Sequence, residues 1–424
     1  MLSDEVLEIV SERLIDRIER VNTYILKKMG ANIKAIGELS TTDAYQLAQV
    51  LKYGGEYEKI VEELSKITKL NEQDIRDIFE EVAKNDYQFA EQFYNYKGVN
   101  QIPYDENYTL KNQVEAITNL SVSNLNYMSK PTMLGYGMID TTTGQIVYKG
   151  LQQAYFDLID EAVFSIAQGK ETFNEVMSRQ IEQMGGGGLK TIYNSTYVNK
   201  DGEIINRSRR LDSTVRMNIK DGLRSLHNET QNILGREFGA DGVEISVHNN
   251  PAPDHQDAQG RQFSKEEYNK LQETGIAKDY DGKEIDISST SKKGHTSHRP
   301  ISQYNCYHYI FNIVLGVSGK EYTDKQLQEI IDNNNEGFEF DGKQYTNYEG
   351  TQLQRRIETE IRKQKDIQIM AKASGQIDTV EQAQSKITQL TRKYNDLSNV
   401  SGLPTKIDRM KVSNYRRVNI SKAR

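Results

Sequence analysis

Apolar residues at every third or fourth position near the start of the chain restrict the fold more than any other feature. Because an α-helix repeats every 3.6 residues or so, this spacing predicts one helix of roughly thirty residues with a single apolar face. Ser3, followed by Asp4 and Glu5, favours a helix start. The repeat is too short and irregular for a coiled coil, so it predicts a helical bundle. The apolar positions are Leu7, Val10, Leu14, Ile18, Val21 and Ile25.

Helical spacing continues through most of the chain, and only 6 of the 424 residues are proline, which would interrupt it. Strands are predicted where apolar and polar residues alternate, at 243–247 and 307–314, and a hairpin is predicted at 338–345. The predicted fold class is therefore α+β and predominantly α. Further helices are predicted at about 41–54, 56–68, 72–96, 151–167, 172–184, 211–239, 265–273, 348–373 and 377–398.

These elements divide the chain into four predicted regions. Residues 1–150 form an N-terminal helical assembly region, and 151–240 form a central helical region with a glycine-rich loop. Residues 241–345 form a small α+β module with a His/Cys cluster, and 346–424 form a basic helical C-terminal region. No apolar run approaches the roughly 18 residues that cross a bilayer. With a charged first segment and one cysteine, the chain is expected to be a soluble, intracellular protein without a signal peptide, disulfide framework or membrane segment.

Charge is distributed unevenly along the sequence. Residues 1–100 contain 19 acidic and 13 basic side chains, whereas residues 349–424 contain 8 acidic and 16 basic ones. The two ends can pair with each other or with a neighbouring subunit, and the basic end can contact nucleic acid. Two solvated helical faces would explain the same composition.

Four consecutive glycines, Gly185–Gly188, precede Lys190 and Thr191 and suggest a phosphate-binding loop. Such a loop needs a glycine directly before the lysine and a buried strand before the glycines. Here Leu189 precedes Lys190, and an amphipathic helical segment precedes the glycines. We therefore predict a helix end followed by a turning loop, and no nucleotide site.

All six histidines and the only cysteine lie within residues 227–308, so this segment has special chemistry. One interpretation is a tetrahedral zinc site, because imidazole and thiolate are the ligands that zinc prefers. Side chains two residues apart on a strand share a face, so Cys306 and His308 could both reach one ion. The candidate metal ligands are His248, His255, Cys306 and His308.

Two other interpretations of Cys306 remain open. It could be a nucleophile with His255 or His248 as its base. The group that orients this base would then be Asp254, Asp257 or Asn305. Alternatively, Cys306 is a small core side chain, and the histidines bond to irregular backbone.

The blocks HNNPAPDHQDAQGRQFS (His248–Ser264) and YNCYHYIFNIVLGVSGKEYT (Tyr304–Thr323) resemble the tailed-bacteriophage minor capsid protein 2 family, which is related to Mu F-type head-morphogenesis proteins. Two further blocks, GGGGLKTIYNS with RRLDSTVRMNI and YEGTQLQRRIETEIRKQK with KYNDLSNVSGLPTKIDRMKV, agree in the expected order. The sequence departs from the family pattern at Ala258, Tyr304 and Tyr307. The matching residues are His248, Pro253, His255, Gln259-Gly260, Phe263-Ser264, Asn305-Cys306, His308 and Gly316-Val317-Ser318.

This resemblance implies a structural, low-copy protein of the phage head rather than an enzyme. Its expected partners are the portal protein, the major capsid protein or both, and its expected location is the virion, after assembly in the host cytoplasm. The resemblance also implies action in head assembly near the portal and ejection with the DNA. It supplies no cofactor, so one structural zinc is the only candidate. The alternative is a virion-carried, toxin-like enzyme that uses the Cys/His pair or a metal.

The basic C-terminal region is a candidate for contact with packaged DNA. Several of its cations lie on one predicted helix, and Glu358, Glu360 and Asp366 are interspersed among them, so part of that face can pair with itself. DNA contact would make the affinity fall steeply with salt. The candidate DNA-binding residues are Arg355, Arg356, Arg362, Lys363 and Lys365.

Overall fold

The computed structural model describes residues 4–139, 143, 146–168, 173–198, 204–288, 298–303, 306 and 308–418. Over these residues the fold is α+β and predominantly α, which confirms the predicted class. The helices are α1 (Asp4–Gly37), α2 (Thr41–Tyr53), α3 (Glu56–Lys97), α4 (Tyr108–Met128), α5 (Leu151–Gln168), α6 (Phe173–Gly187), α7 (Leu211–Glu237), α8 (Lys265–Thr274), α9 (Asp324–Glu336), α10 (Asn347–Ser374) and α11 (Ile377–Ser401).

The strands are short and pair only in antiparallel fashion within the described residues. They form the sheets β2-β1-β3-β4, β6-β5-β9, β7-β8 and β10-β11. The strands are β1 (Leu134–Ile139), β2 (Ile146–Gly150), β3 (Lys190–Val198), β4 (Ile204–Arg210), β5 (Gly242–Ile245), β6 (Gln262–Ser264), β7 (Ile276–Lys278), β8 (Glu284–Asp286), β9 (Ile310–Ile313), β10 (Phe338–Phe340) and β11 (Lys343–Tyr345).

Helix α1 follows the apolar stripe in the sequence. Leu14, Ile18, Val21 and Ile25 are all buried, so one face of the helix packs into the core while the other carries its charges. The side chains of Leu7 and Val10 and the predicted cap Ser3 lie outside the described residues.

The prediction of two separate helices at 56–68 and 72–96 was wrong, because α3 is a single helix from Glu56 to Lys97. No glycine or proline lies between the two predicted segments, so nothing in the backbone stops the helix. Asn71, which lies between the two predicted segments, is fully buried, and its Oδ1 accepts a hydrogen bond of 3.2 Å from Arg17 of α1. A tertiary contact therefore pairs the acceptor of this side chain inside the continuous helix, while its Nδ2 has no hydrogen-bond partner.

Several elements were not predicted: the helices α4 and α9, the β3–β4 hairpin, and the strands β1, β2, β6, β7 and β8. Helix α9 did carry a signal, since Thr323 and Gln326 form a capping box at its start. The β3–β4 hairpin begins directly after the glycine run, where the sequence analysis predicted only a loop. The glycines themselves end α6, and Gly188 has φ +63°, which suits a helix stop.

Among the residues that the structure describes, the buried ones form three apolar clusters. The largest includes residues from Leu14 in α1 to Val412 near the end of the described chain, so elements far apart in sequence share one core. A second cluster lies within 243–310 and includes Cys306, and a third lies within 338–410. The region boundaries proposed from the sequence stay predictions.

A buried ionic network joins α1, the start of α7 and α10. The Arg210 guanidinium contacts Asp366 at 3.0 Å, Asp212 at 3.3 Å and Glu19 at 3.4 Å. Arg362 of α10 also bonds to Asp212. All three carboxylate side chains are at most 5 % exposed. Two cations and three acids therefore lie together away from water.

This network shifts the pKa of Glu19 and the pKa of Asp212 in opposite directions. Burial and the nearby Asp212 hold the pKa of Glu19 well above its ordinary value, so Glu19 keeps a proton. Although burial opposes ionisation of Asp212, Arg210 and Arg362 outweigh it and hold its pKa well below the usual range. With Glu19 protonated, the network sets two arginines against two aspartates.

Candidate functional site

The His/Cys cluster lies at one end of the three-stranded sheet β6-β5-β9. Strands β5 and β9 are antiparallel, and Ile245 pairs with Ile310, so the end of β5 lies beside the start of β9. His248 follows β5 by three residues, and Cys306 and His308 precede β9. The pairing extends past the strands, since the Ser246 amide donates to the carbonyl of Tyr309 at 2.9 Å. The sheet register therefore brings the cluster together.

The turn between β5 and β6 carries His255 into the same place. Gly260 ends this turn with φ +68°, and a Cβ there would lie 2.5 Å from the side chain of Leu327. A glycine is therefore needed both for the backbone conformation and for the close approach. The neighbouring Gln259 is buried, and its side-chain oxygen accepts a 3.0 Å bond from the backbone amide of His248.

Three of the four predicted metal ligands meet in the structure. The Cys306 Sγ lies 3.4 Å from His255 Nδ1 and 3.3 Å from His308 Nδ1. Their candidate ligand atoms all lie within 4.8 Å of one another. His255 is 1 % exposed, Cys306 5 % and His308 3 %. This geometry places a thiol and two imidazoles around one buried point.

The fourth predicted ligand, His248, lies at the edge of this group. It is half-buried, and its ring centroid is 4.7 Å from that of His308. His308 Nε2 is buried without a hydrogen-bond partner. The structure therefore brings His248 next to the cluster without placing it within the three-residue group.

Backbone contacts fix the orientation of His255 and Cys306. His255 Nε2 lies 2.7 Å from the carbonyl oxygen of Arg299, which can only accept, so this nitrogen carries the proton. Arg299 is itself held by a bidentate pair with Asp254, with both contacts at 2.8 Å. The Ser302 amide donates to Cys306 Sγ at 3.2 Å. From α7, Arg224 donates to the carbonyl of Cys306 at 2.9 Å.

Burial keeps the three groups uncharged in the metal-free protein. It lowers the pKa of His255, where Asp254 partly opposes the effect. It also lowers the pKa of His308 well below its ordinary value, and the nearby His248 and His255 add to the shift. Burial raises the pKa of the Cys306 thiol. Reactive cysteines are exposed and have a lowered pKa, so the geometry disfavours Cys306 as a nucleophile.

The groups proposed to orient a catalytic base have other contacts. Asp254 pairs with Arg299, and its carboxylate also lies 3.9 Å from His255 Nε2. The backbone carbonyl of Asp257 accepts from Arg261 at 3.2 Å. Asn305 lies outside the described residues. The third interpretation, a cysteine packed in a core, agrees with the place of Cys306 in the second apolar cluster.

The remaining histidines do not join the cluster in the described part of the chain. His227 on α7 lies 2.9 Å from Asp86 of α3. His298 donates through Nε2 to the carbonyl of Gln272 at 2.7 Å. His295 lies outside the described residues.

The predicted DNA-binding residues lie on α10 but do not form one free basic face. Arg362 is drawn into the ionic network, and Lys365 donates to the carbonyl of Met410 at 2.6 Å. Lys363 lies 3.6 Å from the carboxylate of Glu360. Arg355 is half-buried and Arg356 is exposed. DNA contact by this helix stays a prediction.

No sequence pattern indicated that Arg224, Gln259 and Arg299 support the cluster. Arg224 donates to the backbone carbonyl of Cys306, and Arg299 offers its own backbone carbonyl to His255, so the spacing of side chains could not reveal either contact. Gln259 was noted only as part of the motif Gln259-Gly260, and its contact with the amide of His248 explains why a glutamine precedes the glycine.

Comparison with known proteins gives one match. A family model described as phage minor capsid protein 2 matches residues 2–399 of the 424. No curated protein and no solved structure matches the chain. None of the described helices combines the length and apolar character of a membrane span.

Proposed function

Because this chain belongs to the phage minor capsid protein 2 family, we propose that it is a low-copy component of the phage head that acts in head assembly near the portal. The observation that carries this proposal is the extent of the match, which runs over residues 2–399. The matched range includes nearly all the helices, the ionic network and the His/Cys cluster. The family role therefore concerns the whole chain rather than one small module.

The chemistry of the chain favours a structural role. The Cys306 thiol is buried in an apolar cluster, where a substrate cannot reach it. We therefore propose that the protein is not an enzyme and that its partners are the portal protein, the major capsid protein or both. Assembly would take place in the host cytoplasm, and the finished protein would reside in the virion.

Ejection with the DNA is the finer part of the proposal. The excess of basic residues at 349–424 supports contact with packaged DNA through exposed cations such as Arg356. A protein held by such contacts would leave the head when the DNA leaves. Binding of the purified protein to duplex DNA should then weaken steeply with salt, whereas an affinity independent of salt would exclude this contact.

Quantitative mass spectrometry of purified particles tests the proposal. DNA-filled heads and the same heads after triggered DNA release are compared, with the major capsid protein as the internal standard and a non-virion phage protein as the contamination control. A few to a few dozen copies per filled head are expected. Loss of these copies with the DNA would confirm ejection, and retention would exclude it. No copies in filled heads would refute the structural role.

A second measurement tests the position near the portal. Chemical cross-linking of intact heads, followed by peptide mass spectrometry, should recover links between this chain and the portal protein. Links only to the major capsid protein, spread over the whole shell, would contradict placement at one vertex.

A further inference from the structure

We propose that His255, Cys306 and His308 bind one zinc ion, through two neutral imidazoles and a thiolate, and that the ion ties the turn after β5 to the segment before β9. This site is independent of the proposed role in the phage head. It rests on four observations: the convergence of the ligands, the placement of their protons, the distances between them and the chemistry of the set.

The ligands come from two chain segments about fifty residues apart that the sheet register brings together. His255 lies in the turn after β5, whereas Cys306 and His308 precede β9. The three side chains are nearly inaccessible to water, with exposures of 1 %, 5 % and 3 %. Polar groups in such a place normally satisfy one another or bind an ion.

The three groups do not satisfy one another. His255 carries its proton on Nε2, which donates to the Arg299 carbonyl, so its Nδ1 presents a lone pair to the Cys306 sulfur. His308 Nδ1 faces the same sulfur from 3.3 Å. A thiol has one proton and can donate it to only one of these nitrogens. If His308 donated its own proton to the sulfur instead, its Nε2 would be a buried acceptor without a donor.

The buried His308 Nε2 in fact has no hydrogen-bond partner, which is an observation independent of the distances. In the zinc-bound protein, Cys306 loses its proton, the lone pairs of both Nδ1 atoms point at the ion, and the His308 proton lies on Nε2. The unpartnered Nε2 is thus a donor without an acceptor and does not itself favour the ion. What favours the ion is that it takes up both Nδ1 lone pairs and the sulfur, which the single thiol proton cannot do.

The distances fit tetrahedral coordination. Zinc–nitrogen and zinc–sulfur bonds of roughly 2.1 and 2.3 Å at the tetrahedral angle separate sulfur and nitrogen ligands by about 3.6 Å. The observed separations are 3.4 Å for His255 and 3.3 Å for His308. Both sulfur–nitrogen separations are therefore within a few tenths of an ångström of the tetrahedral value, and the two imidazole ligand atoms lie within 4.8 Å of each other. The half-buried His248 lies nearby, with its ring centroid 4.7 Å from that of His308.

Both the ligand set and its surroundings favour zinc. Thiolate with imidazole selects zinc over magnesium or calcium, which prefer oxygen ligands. The Arg299 carbonyl fixes the tautomer of His255, and the Ser302 amide donates to the sulfur, as supporting groups do at zinc sites. The strands that the ion would join have only three or four residues each, so few hydrogen bonds between strands hold them together. Bonds from one metal ion to both segments would stabilise this part of the fold.

Metal analysis of the full-length protein, purified under reducing conditions, is the first test. One zinc per chain is expected, and removal with a strong chelator followed by addition of Zn²⁺ should restore it. Cys306→Ser and His308→Ala should weaken zinc binding by more than about 100-fold, which exceeds the usual effect of changing a supporting group. The matched control is His298→Gln, a histidine of the same module that bonds to the Gln272 carbonyl and should keep full binding.

Cobalt substitution keeps the test decisive if a variant fails to fold. Because Cys306 is the only cysteine, a sulfur-to-cobalt charge-transfer band in the wild-type protein can come only from this residue. We expect that band together with the intense visible absorption of tetrahedral Co²⁺. Folded wild-type protein that binds neither Zn²⁺ nor Co²⁺ would overturn the proposal. So would a folded Cys306→Ser variant with unchanged affinity.

Discussion

The guanidinium of Arg210 is the group whose removal should destabilise the fold most clearly. It contacts three carboxylates, at 3.0 Å for Asp366, 3.3 Å for Asp212 and 3.4 Å for Glu19, and its own side chain is 10 % exposed. Arg210→Met keeps much of the apolar stem and deletes the charge. The change therefore leaves buried carboxylates without their common cation.

The expected loss follows from what each carboxylate keeps. Asp212 keeps the contact with Arg362, and Glu19 is already neutral, so neither loses a full ion pair. Asp366 loses its cation and keeps the amide of Asn22, which donates at 3.1 Å. One broken buried pair costs about 3–5 kcal/mol, so we expect that amount rather than two or three times as much.

The loss should depend on pH. Burial already raises the pKa of Asp366, and deletion of Arg210 removes the main group that lowers it. A raised carboxyl pKa in the folded state means that stability is lost as pH rises through that pKa. The variant should therefore lose more free energy of unfolding at pH 8 than at pH 5.5, as judged against wild type by urea denaturation followed by circular dichroism.

Two further variants separate this explanation from a general defect. Arg20→Met removes an exposed pair with Asp16 on the same helix as Glu19 and should cost less than about 1 kcal/mol. The double variant Arg210→Met with Asp366→Asn removes the stranded charge and should recover most of the loss. A cost below about 1 kcal/mol for Arg210→Met at pH 8, or no recovery in the double variant, would refute the reasoning.

Three other changes test separate contacts. The pKa of Glu19 is raised above its ordinary value of about 4.5, so wild type loses stability as pH rises above that value. Glu19→Gln should therefore be at least as stable as wild type at pH 8. Near pH 4.5 the variant should no longer be the more stable of the two in the same denaturation assay. In α6, a Cβ on Gly185 would lie 2.8 Å from the backbone of Ile367, so Gly185→Ala should lower the free energy of unfolding by about 1–3 kcal/mol. The control is Gly187→Ala, whose added Cβ would have its nearest contact at 3.7 Å and should not lower the melting temperature. Asp254→Asn should weaken zinc binding about tenfold in competition titrations. The Asp254 carboxylate holds Arg299, whose carbonyl orients the imidazole of His255. An unchanged affinity would exclude a supporting role for Asp254 at the zinc site.

Local patterns predicted much of the secondary structure, because they depend on residues close in sequence. The stripe in α1, the hairpin β10–β11 and the helices α10 and α11 are examples. The continuous α3 was not predicted, although no glycine or proline separates its two predicted halves. Asn71, at the junction of the two halves, is buried and bonds through Oδ1 to Arg17, 54 positions earlier, and the spacing of residues could not show such a contact between distant segments.

The candidate site was predictable in residue type and only partly in geometry. The concentration of His and Cys residues drew attention to this segment, and three of the four proposed ligands lie together. Which three do so depends on the register of β5 and β9 and on the turn closed by Gly260. The cations of α10 are a case in which the sequence did not predict the contacts. Arg362 bonds to Asp212 and Lys365 bonds to the Met410 carbonyl, and only the fold shows that these two charges are used within the protein.

The contact between Asn22 and Asp366 has a consequence for synthesis on the ribosome, because 344 positions separate the two residues. At roughly 5–20 residues per second, the ribosome takes on the order of 20–70 s to make the chain between them. Throughout that interval α1 has been made but α10 has not, so the part of the apolar face of α1 that α10 covers stays exposed. We expect nascent chains stalled before residue 347 to be cleaved within α1 by added protease, and released full-length chains to resist. Equal resistance would show that the earlier helices already protect α1. In an infected cell, this delay would make each newly made copy dependent on protection from aggregation until its last fifth has been translated.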